Sequence, residues 1–218
     1  KLKYGENPGQ ESYITNKIGK KISDYQINGK EISYNNIIDI DSGLNCIKEF
    51  SEPTCVIIKH TNPCGVGSGK DIYTAFIKAY NCDVNSAFGG IIVLNKKVNL
   101  KLAAKIINNF FEIVVATDYS KEALNILVKK KRLIVLKIKN IDLNFEQNRS
   151  TIFGQLYQKI DRSKIDRKFL RLISSKKASQ KAIDDLVFSL KVVKHLKSNA
   201  IVVAKNKQTL GIGVGQTN

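Results

Sequence analysis

Lys59 and His60 stand next to each other, and together they could do chemistry. An imidazole changes protonation near neutral pH and can take a proton from a weak nucleophile. An ammonium beside it can stabilise negative charge that develops in a transition state. The pair ends the apolar run Cys55-Val56-Ile57-Ile58 and precedes Thr61-Asn62-Pro63-Cys64-Gly65. The run is rich in β-branched residues, which predicts a buried strand over Cys55–His60 and a Pro/Gly loop over Thr61–Gly69. Open α/β sheets hold ligands beyond the C-terminal ends of their strands. Neighbouring strand residues point to opposite faces, so both side chains serve one site only if the backbone turns there, for which Asn62-Pro63 is suited. By itself the pair reads rather as a capped strand end with a surface lysine and a half-buried histidine.

Other short motifs are weaker. Ser86-Ala87-Phe88-Gly89-Gly90 leads into an apolar run, and paired glycines let backbone approach a ligand closely or simply turn. Asn199, in Ser198-Asn199-Ala200, could read a carboxamide edge because its amide both donates and accepts, or it could merely end a helix. Gly211-Ile212-Gly213-Val214-Gly215-Gln216 has the wrong spacing for a dinucleotide fingerprint. Pro63-Cys64 resembles part of a zinc-deaminase motif, but the second cysteine position is Gly67 and no His-x-Glu precedes it. No zinc is expected.

The elements that would position these residues alternate. Helices are predicted over Asp39–Phe50, Asp71–Tyr80, Leu100–Phe110, Lys121–Lys131 and Ala182–Leu196 from apolar residues at helical spacing. Strands are predicted over Gly90–Leu94, Glu112–Thr117 and Leu133–Ile138, with short extended pieces at Glu11–Thr15 and Tyr25–Ile27. Residues 139–179 are polar and irregular, and Ile201–Ala204 and Thr209–Ile212 read as a hairpin. The alternation predicts an α/β layered sheet with flanking helices. We expect one unit over residues 1–150, with a connection and the truncated start of a second unit over 151–218.

The chain has 218 residues, 43% apolar content and a net charge of +17. No stretch approaches the ~20 apolar residues that cross a bilayer, so no membrane is expected. Arg occurs only at 132, 149, 162, 167 and 171, and Lys supplies the rest of the 36 basic residues. Nucleic-acid readers rely on Arg forks and interleaved aromatics. Lysine here occupies ordinary amphipathic positions, so no nucleic-acid partner is expected. Cys46, Cys55, Cys64 and Cys82 match no zinc-finger spacing and read as reduced, small apolar residues of a cytoplasmic protein. The chain contains no Met and ends at Gly215-Gln216-Thr217-Asn218, inside a motif, so it reads as a fragment of a longer polypeptide.

In order and spacing, five segments resemble the AICAR formyltransferase domain of the bifunctional purine biosynthesis proteins, which also carry IMP cyclohydrolase. They are Lys3-Tyr4-Gly5-Glu6-Asn7-Pro8, Lys59–Gly65, Ser86–Asn95, Val192–Asn206 and Gly211–Gln216. The resemblance runs end to end. It implies a cytidine-deaminase-like α/β unit, the first of two in tandem, in a cytoplasmic homodimer whose active sites form across the subunits. It implies transfer of a formyl group from 10-formyltetrahydrofolate to the 5-amino group of AICAR. His60 would be the general base and Lys59 the electrostatic partner. Lys3, Tyr4, Gly89, Glu112 and Asn199 would hold the nucleotide, and Lys131 would contact its phosphate.

Several positions depart from the family pattern. Lys3 stands where the family usually has Arg, which keeps charge but loses the bidentate fork. Gly9 replaces a usual His, and Thr117 a usual Pro. The chain ends one residue before the family's Arg in Gly-Gln-x-x-Arg, and most folate contacts would lie beyond Asn218. The alternative expectation is therefore a catalytically incomplete fragment that acts only as a nucleotide-binding or assembly module.

Overall fold

The computed structural model describes residues 1–15, 21–139 and 146–215. Gln216, which closes the last motif, and residues 140–145 of the expected connection lie outside the described residues. Six strands form one mixed sheet: β1 (Gln26–Asn28), β2 (Thr54–Lys59), β3 (Asn62–Ser68), β4 (Ile91–Leu94), β5 (Ile113–Ala116) and β6 (Ile134–Lys137). Their spatial order is β1-β6-β5-β4-β2-β3. Strands β4, β5 and β6 run parallel, while β2 is antiparallel to both β4 and β3, and β1 is antiparallel to β6.

The strands are apolar on both faces because helices cover both faces. Cys55 and Ile57 of β2, Ile92 and Leu94 of β4, and Val114 and Ala116 of β5 point into one core with helices α2 (Ile72–Tyr80), α4 (Leu100–Ile107) and α5 (Lys121–Leu127). Val56 and Ile58, Ile91 and Val93, and Ile113 and Val115 point into the other, with α1 (Tyr34–Ile47) and with Phe188 and Val192 of α6 (Gln180–Val193). A short helix, α3 (Val84–Ala87), precedes β4. N-cap side chains start each helix: Ser33, Asp71, Asp83, Asn99, Ser120 and Ser179 each accept from the backbone N–H three residues on.

Three sequence expectations need correction. The Thr61–Gly69 loop is strand β3. Gly65 and Gly67 allow it to lie against α2, where added Cβ atoms would meet Ala79 O at 2.0 Å and Lys78 Cβ at 2.5 Å. Helix α1 begins five residues before Asp39, because Ser33 and Asn36 cap each other reciprocally at 3.3 and 3.2 Å. The 139–179 stretch is not wholly irregular: β7 (Gln147–Thr151) and β8 (Gly154–Gln158) form an exposed hairpin in it.

The architecture also repeats. Helix α1 followed by the β2–β3 hairpin is matched by α6 followed by the hairpin of β9 (Ile201–Ala204) and β10 (Thr209–Gly213). The offset is 146 residues throughout: Ser33 to Ser179 at the caps, Asp39 to Asp185 in the helices, Thr61 to Lys207 in the turns. The second hairpin docks on the edge of the first, where Thr209 Oγ1 accepts from Val66 N–H and donates to Val66 O.

Candidate active site

His60 and Thr61 form a two-residue turn between the paired residues Lys59 and Asn62. Both have positive φ, 49° and 67°, the type I′ pattern that usually takes Asn-Gly. For Thr, whose β-branch crowds this region, the conformation is an outlier, and such residues cost on the order of 1–3 kcal/mol each. The turn falls at His60-Thr61, ahead of the expected Asn62-Pro63. It breaks the strand alternation just where Lys59 and His60 must share a site.

Because β2 runs against β4–β6, the end of β2 lies beside the N-terminal ends of the three parallel strands. The expectation of a site beyond strand C-termini therefore holds for β2 alone. A cleft of about 200 Å³ opens there, and Lys3, Tyr4, Lys59, His60, Gly89 and Glu112 all line it. Lys59 is drawn to the loop before β4, where its Nζ donates to Phe88 O at 2.6 Å. Gly89 has φ +68°, and its N–H donates to Phe110 O at 2.8 Å. The positive φ favours glycine, and a Cβ there would come within 3.3 Å of Lys59 Nζ, so the ammonium would have to give by a few tenths of an ångström.

Glu112, just before β5, accepts from Lys30 Nζ at 3.4 Å and from Asn36 Nδ2 at 3.3 Å. The Asn36 amide is oriented by the helix cap, since its Oδ1 accepts from Ser33 N–H. Asp39 Oδ1 accepts from Thr61 N–H at 2.7 Å. Burial pushes the Asp39 carboxyl above its ordinary value, only partly countered by the Thr61 N–H and the nearby His60 and Lys59. Tyr4 and Lys3 reach the cleft on a folded-back N-terminal segment. Ser12 Oγ donates to Tyr4 O at 2.7 Å, and Asn35 Nδ2 donates to Glu6 O at 3.0 Å. The Lys3 ammonium lies 5.5 Å from the Tyr4 ring centroid.

Lys131 and Asn199 do not line the cleft. Lys131 is exposed in the turn before β6, at the same end of the sheet. Asn199 is exposed between α6 and β9, in a segment that touches the β2–β3 hairpin where Lys197 N–H donates to Asn62 Oδ1 at 3.4 Å. Conversely, Lys30, Glu31, Ser33, Asn36 and Asp39 line the cleft and escaped the sequence reading. Ser33-x-x-Asn36 was the available signal, as a variant of the capping box. Among the described residues, no group of three or more His, Cys, Asp or Glu is arranged to hold a metal ion, and no helix is long and apolar enough to cross a membrane.

An imidazole on a strained turn, an anchored ammonium beside it and a polar cleft lined by further lysines and by the carboxyls of Glu31, Asp39 and Glu112 define an α/β protein with a small, polar cleft. Comparison with known proteins narrows that class. The family model described as AICARFT/IMPCHase bienzyme matches residues 1–218, and the chain belongs to that family. It is 46% identical to the bifunctional purine biosynthesis protein PurH of Caldicellulosiruptor saccharolyticus and 42% identical to that of Acetivibrio thermocellus. The PurH of Oceanobacillus iheyensis is 41% identical. Each alignment covers 100% of this chain and 44% of the relative, so the chain spans less than half the length of these proteins.

Proposed function

We propose that the cleft binds AICAR and that the chain forms the nucleotide side of a formyltransferase of purine (IMP) biosynthesis. The reaction moves a formyl group from 10-formyltetrahydrofolate to the 5-amino group of AICAR. One observation carries this reading: the β2–β3 turn and the Phe88 carbonyl bring Lys59 and His60 to the same cleft, with the close backbone approach at Gly89 beside them.

AICAR's amine is conjugated with its ring and carboxamide, so it is a poor nucleophile. His60 takes the proton as the amine attacks the formyl carbon, and the proton returns to the folate nitrogen as the bond between that nitrogen and the formyl carbon breaks, a contribution of typically ~10²–10⁴-fold. The Lys59 ammonium faces negative charge developing on the formyl oxygen. Lys3 and Lys131 lie at this end of the sheet and offer charge to the nucleotide phosphate, while Lys30 is paired with Glu112. Glu112 and Tyr4 meet its polar donors and acceptors, and Asn199 joins from the segment beside the hairpin. The folate supplies the formyl group, and the exposed, tilted ring pair Phe88–Phe110, with centroids 5.0 Å apart, offers apolar surface beside Lys59.

We assign residues 1–150 to a first cytidine-deaminase-like unit and 151–218 to the connection and the start of a second. The repeat of α1–β2–β3 by α6–β9–β10 supports that division. The full-length protein would be a cytoplasmic homodimer, carrying IMP cyclohydrolase as well. Ile152 and Phe153, at the tip of the β7–β8 hairpin and more than nine-tenths exposed, are in keeping with an assembled state. The test is formyl transfer to AICAR by the full-length protein and by His60→Ala, with circular dichroism as the control on folding. Unchanged turnover in a folded His60→Ala protein sinks the assignment.

A further inference from the structure

The His60–Thr61 turn is held from outside the hairpin. Asp39 sits in the second turn of α1, and its Oδ1 accepts from Thr61 N–H at 2.7 Å. The same device recurs at the repeat. Asp185 of α6 accepts from Asn206 N–H at 2.9 Å and from Lys207 N–H at 2.8 Å. Asn206 and Lys207 also have positive φ, 56° and 53°. A helix carboxylate thus holds a turn of two consecutive left-handed, non-glycine residues in each hairpin, through the Thr61 N–H alone at Asp39 and through both N–H groups at Asp185. The copy at Asp185 carries no imidazole, and Lys78 Nζ anchors its turn further through Asn206 O at 2.6 Å. The copy at Asp39 carries His60, and Asp39 itself lines the cleft.

We infer that Asp39 is the positioning residue of the site: its carboxylate fixes the strained turn that aims the His60 imidazole. The inference rests on the formyl-transfer reading above. The hydrogen bond to Thr61 N–H governs where the ring points, and a displacement of about 1 Å at a reacting group can cost on the order of 10²-fold in rate.

The experiment is steady-state formyl transfer by the full-length protein, comparing wild type with Asp39→Ala, Asp39→Asn, Asp185→Asn and His60→Ala. Asp39→Ala should lose kcat on the order of 10²-fold with little change in KM for AICAR. Asp39→Asn keeps an oxygen to accept from Thr61 N–H and should recover most of kcat. Asp185→Asn should leave kcat unchanged. Wild-type turnover in Asp39→Ala, or a loss in Asp39→Asn as large as in Asp39→Ala, overturns the inference. Should Asp39→Ala not fold, the near-isosteric Asp39→Asn decides alone: most of kcat retained supports the inference, and a loss on the order of 10²-fold overturns it. Full turnover in His60→Ala would show instead that the formyl-transfer reading has failed.

Discussion

Gly89→Ala separates the strain of the site from its chemistry. At φ +68° an alanine pays about 1–2 kcal/mol for its Cβ in the left-handed region. The smaller entropy of the unfolded alanine chain returns roughly 0.5–1 kcal/mol, so the net loss of stability is about 1 kcal/mol. The new Cβ also lies 3.3 Å from Lys59 Nζ and from Phe110 Cε1, a few tenths of an ångström inside ordinary contact. The flexible lysine gives way first by those few tenths, which lengthens its bond to the Phe88 carbonyl from 2.6 Å. If Lys59 stabilises developing charge as proposed, complete loss of such a donor costs about 2.7–4 kcal/mol in the transition state, and this displacement of the ammonium costs a part of that, up to ~10²-fold in turnover. Urea denaturation and formyl-transfer kinetics on the full-length protein measure the two effects separately. The expected result is a modest fall in the denaturation midpoint with unchanged slope, and a far larger fall in kcat. Wild-type turnover accompanied by the expected loss of stability would refute the role given to Lys59 at Phe88–Gly89.

Two further perturbations test the frame that holds the site. Gly65→Ala drives a Cβ to 2.0 Å from Ala79 O, a backbone atom that cannot swing aside, so β3 must part from α2; we expect a loss of about 3 kcal/mol in urea denaturation. Glu49→Gln breaks the ion pair that ties the end of α1 to α6, where Lys194 Nζ lies 2.8 Å and His195 Nε2 3.2 Å from Glu49 Oε1. Lys194 is 7% exposed, and an unpaired buried charge costs about 3 kcal/mol near neutral pH. Burial pushes Glu49 up, but the hydrogen bonds from His195 and Lys194, with their charges, outweigh it and hold the carboxyl below its ordinary value. A depressed carboxylate contributes stability that is present above its unfolded value and lost as pH falls through its folded one. The variant should therefore show a flatter loss of stability with acid than wild type, measured as thermal midpoints across pH.

The layered sheet was readable because its strands are apolar on both faces and its helices carry one apolar stripe each. Such runs as Ile91–Leu94 and Ile113–Ala116 announce themselves by composition. Strand β3 was not readable, since Asn62-Pro63-Cys64-Gly65-Val66-Gly67-Ser68 has the composition of a loop. Its glycines answer to the backbone of α2, a tertiary neighbour invisible to local pattern. Lys59 and His60 were readable as a candidate pair, but the turn that unites them depends on Asp39, 21 residues before His60. The cleft residues Lys30, Asn36 and Glu112 are likewise joined through contacts of long sequence separation, Asn36 to Glu112 spanning 76 residues. The repeat at 146 residues is partly legible, in scattered identities that include Ser33/Ser179, Asp39/Asp185, Lys59/Lys205 and the glycines Gly65/Gly211, Gly67/Gly213 and Gly69/Gly215, but these are spread over a long offset and only the shared helix–hairpin geometry joins them.

Whether His60 is the base of a formyl transfer is decided most directly by the single-turnover rate of the full-length protein at saturating AICAR and 10-formyltetrahydrofolate, wild type against His60→Ala. Our account predicts a fall of ~10²–10⁴-fold with AICAR still bound. A His60→Ala rate equal to that of wild type contradicts it.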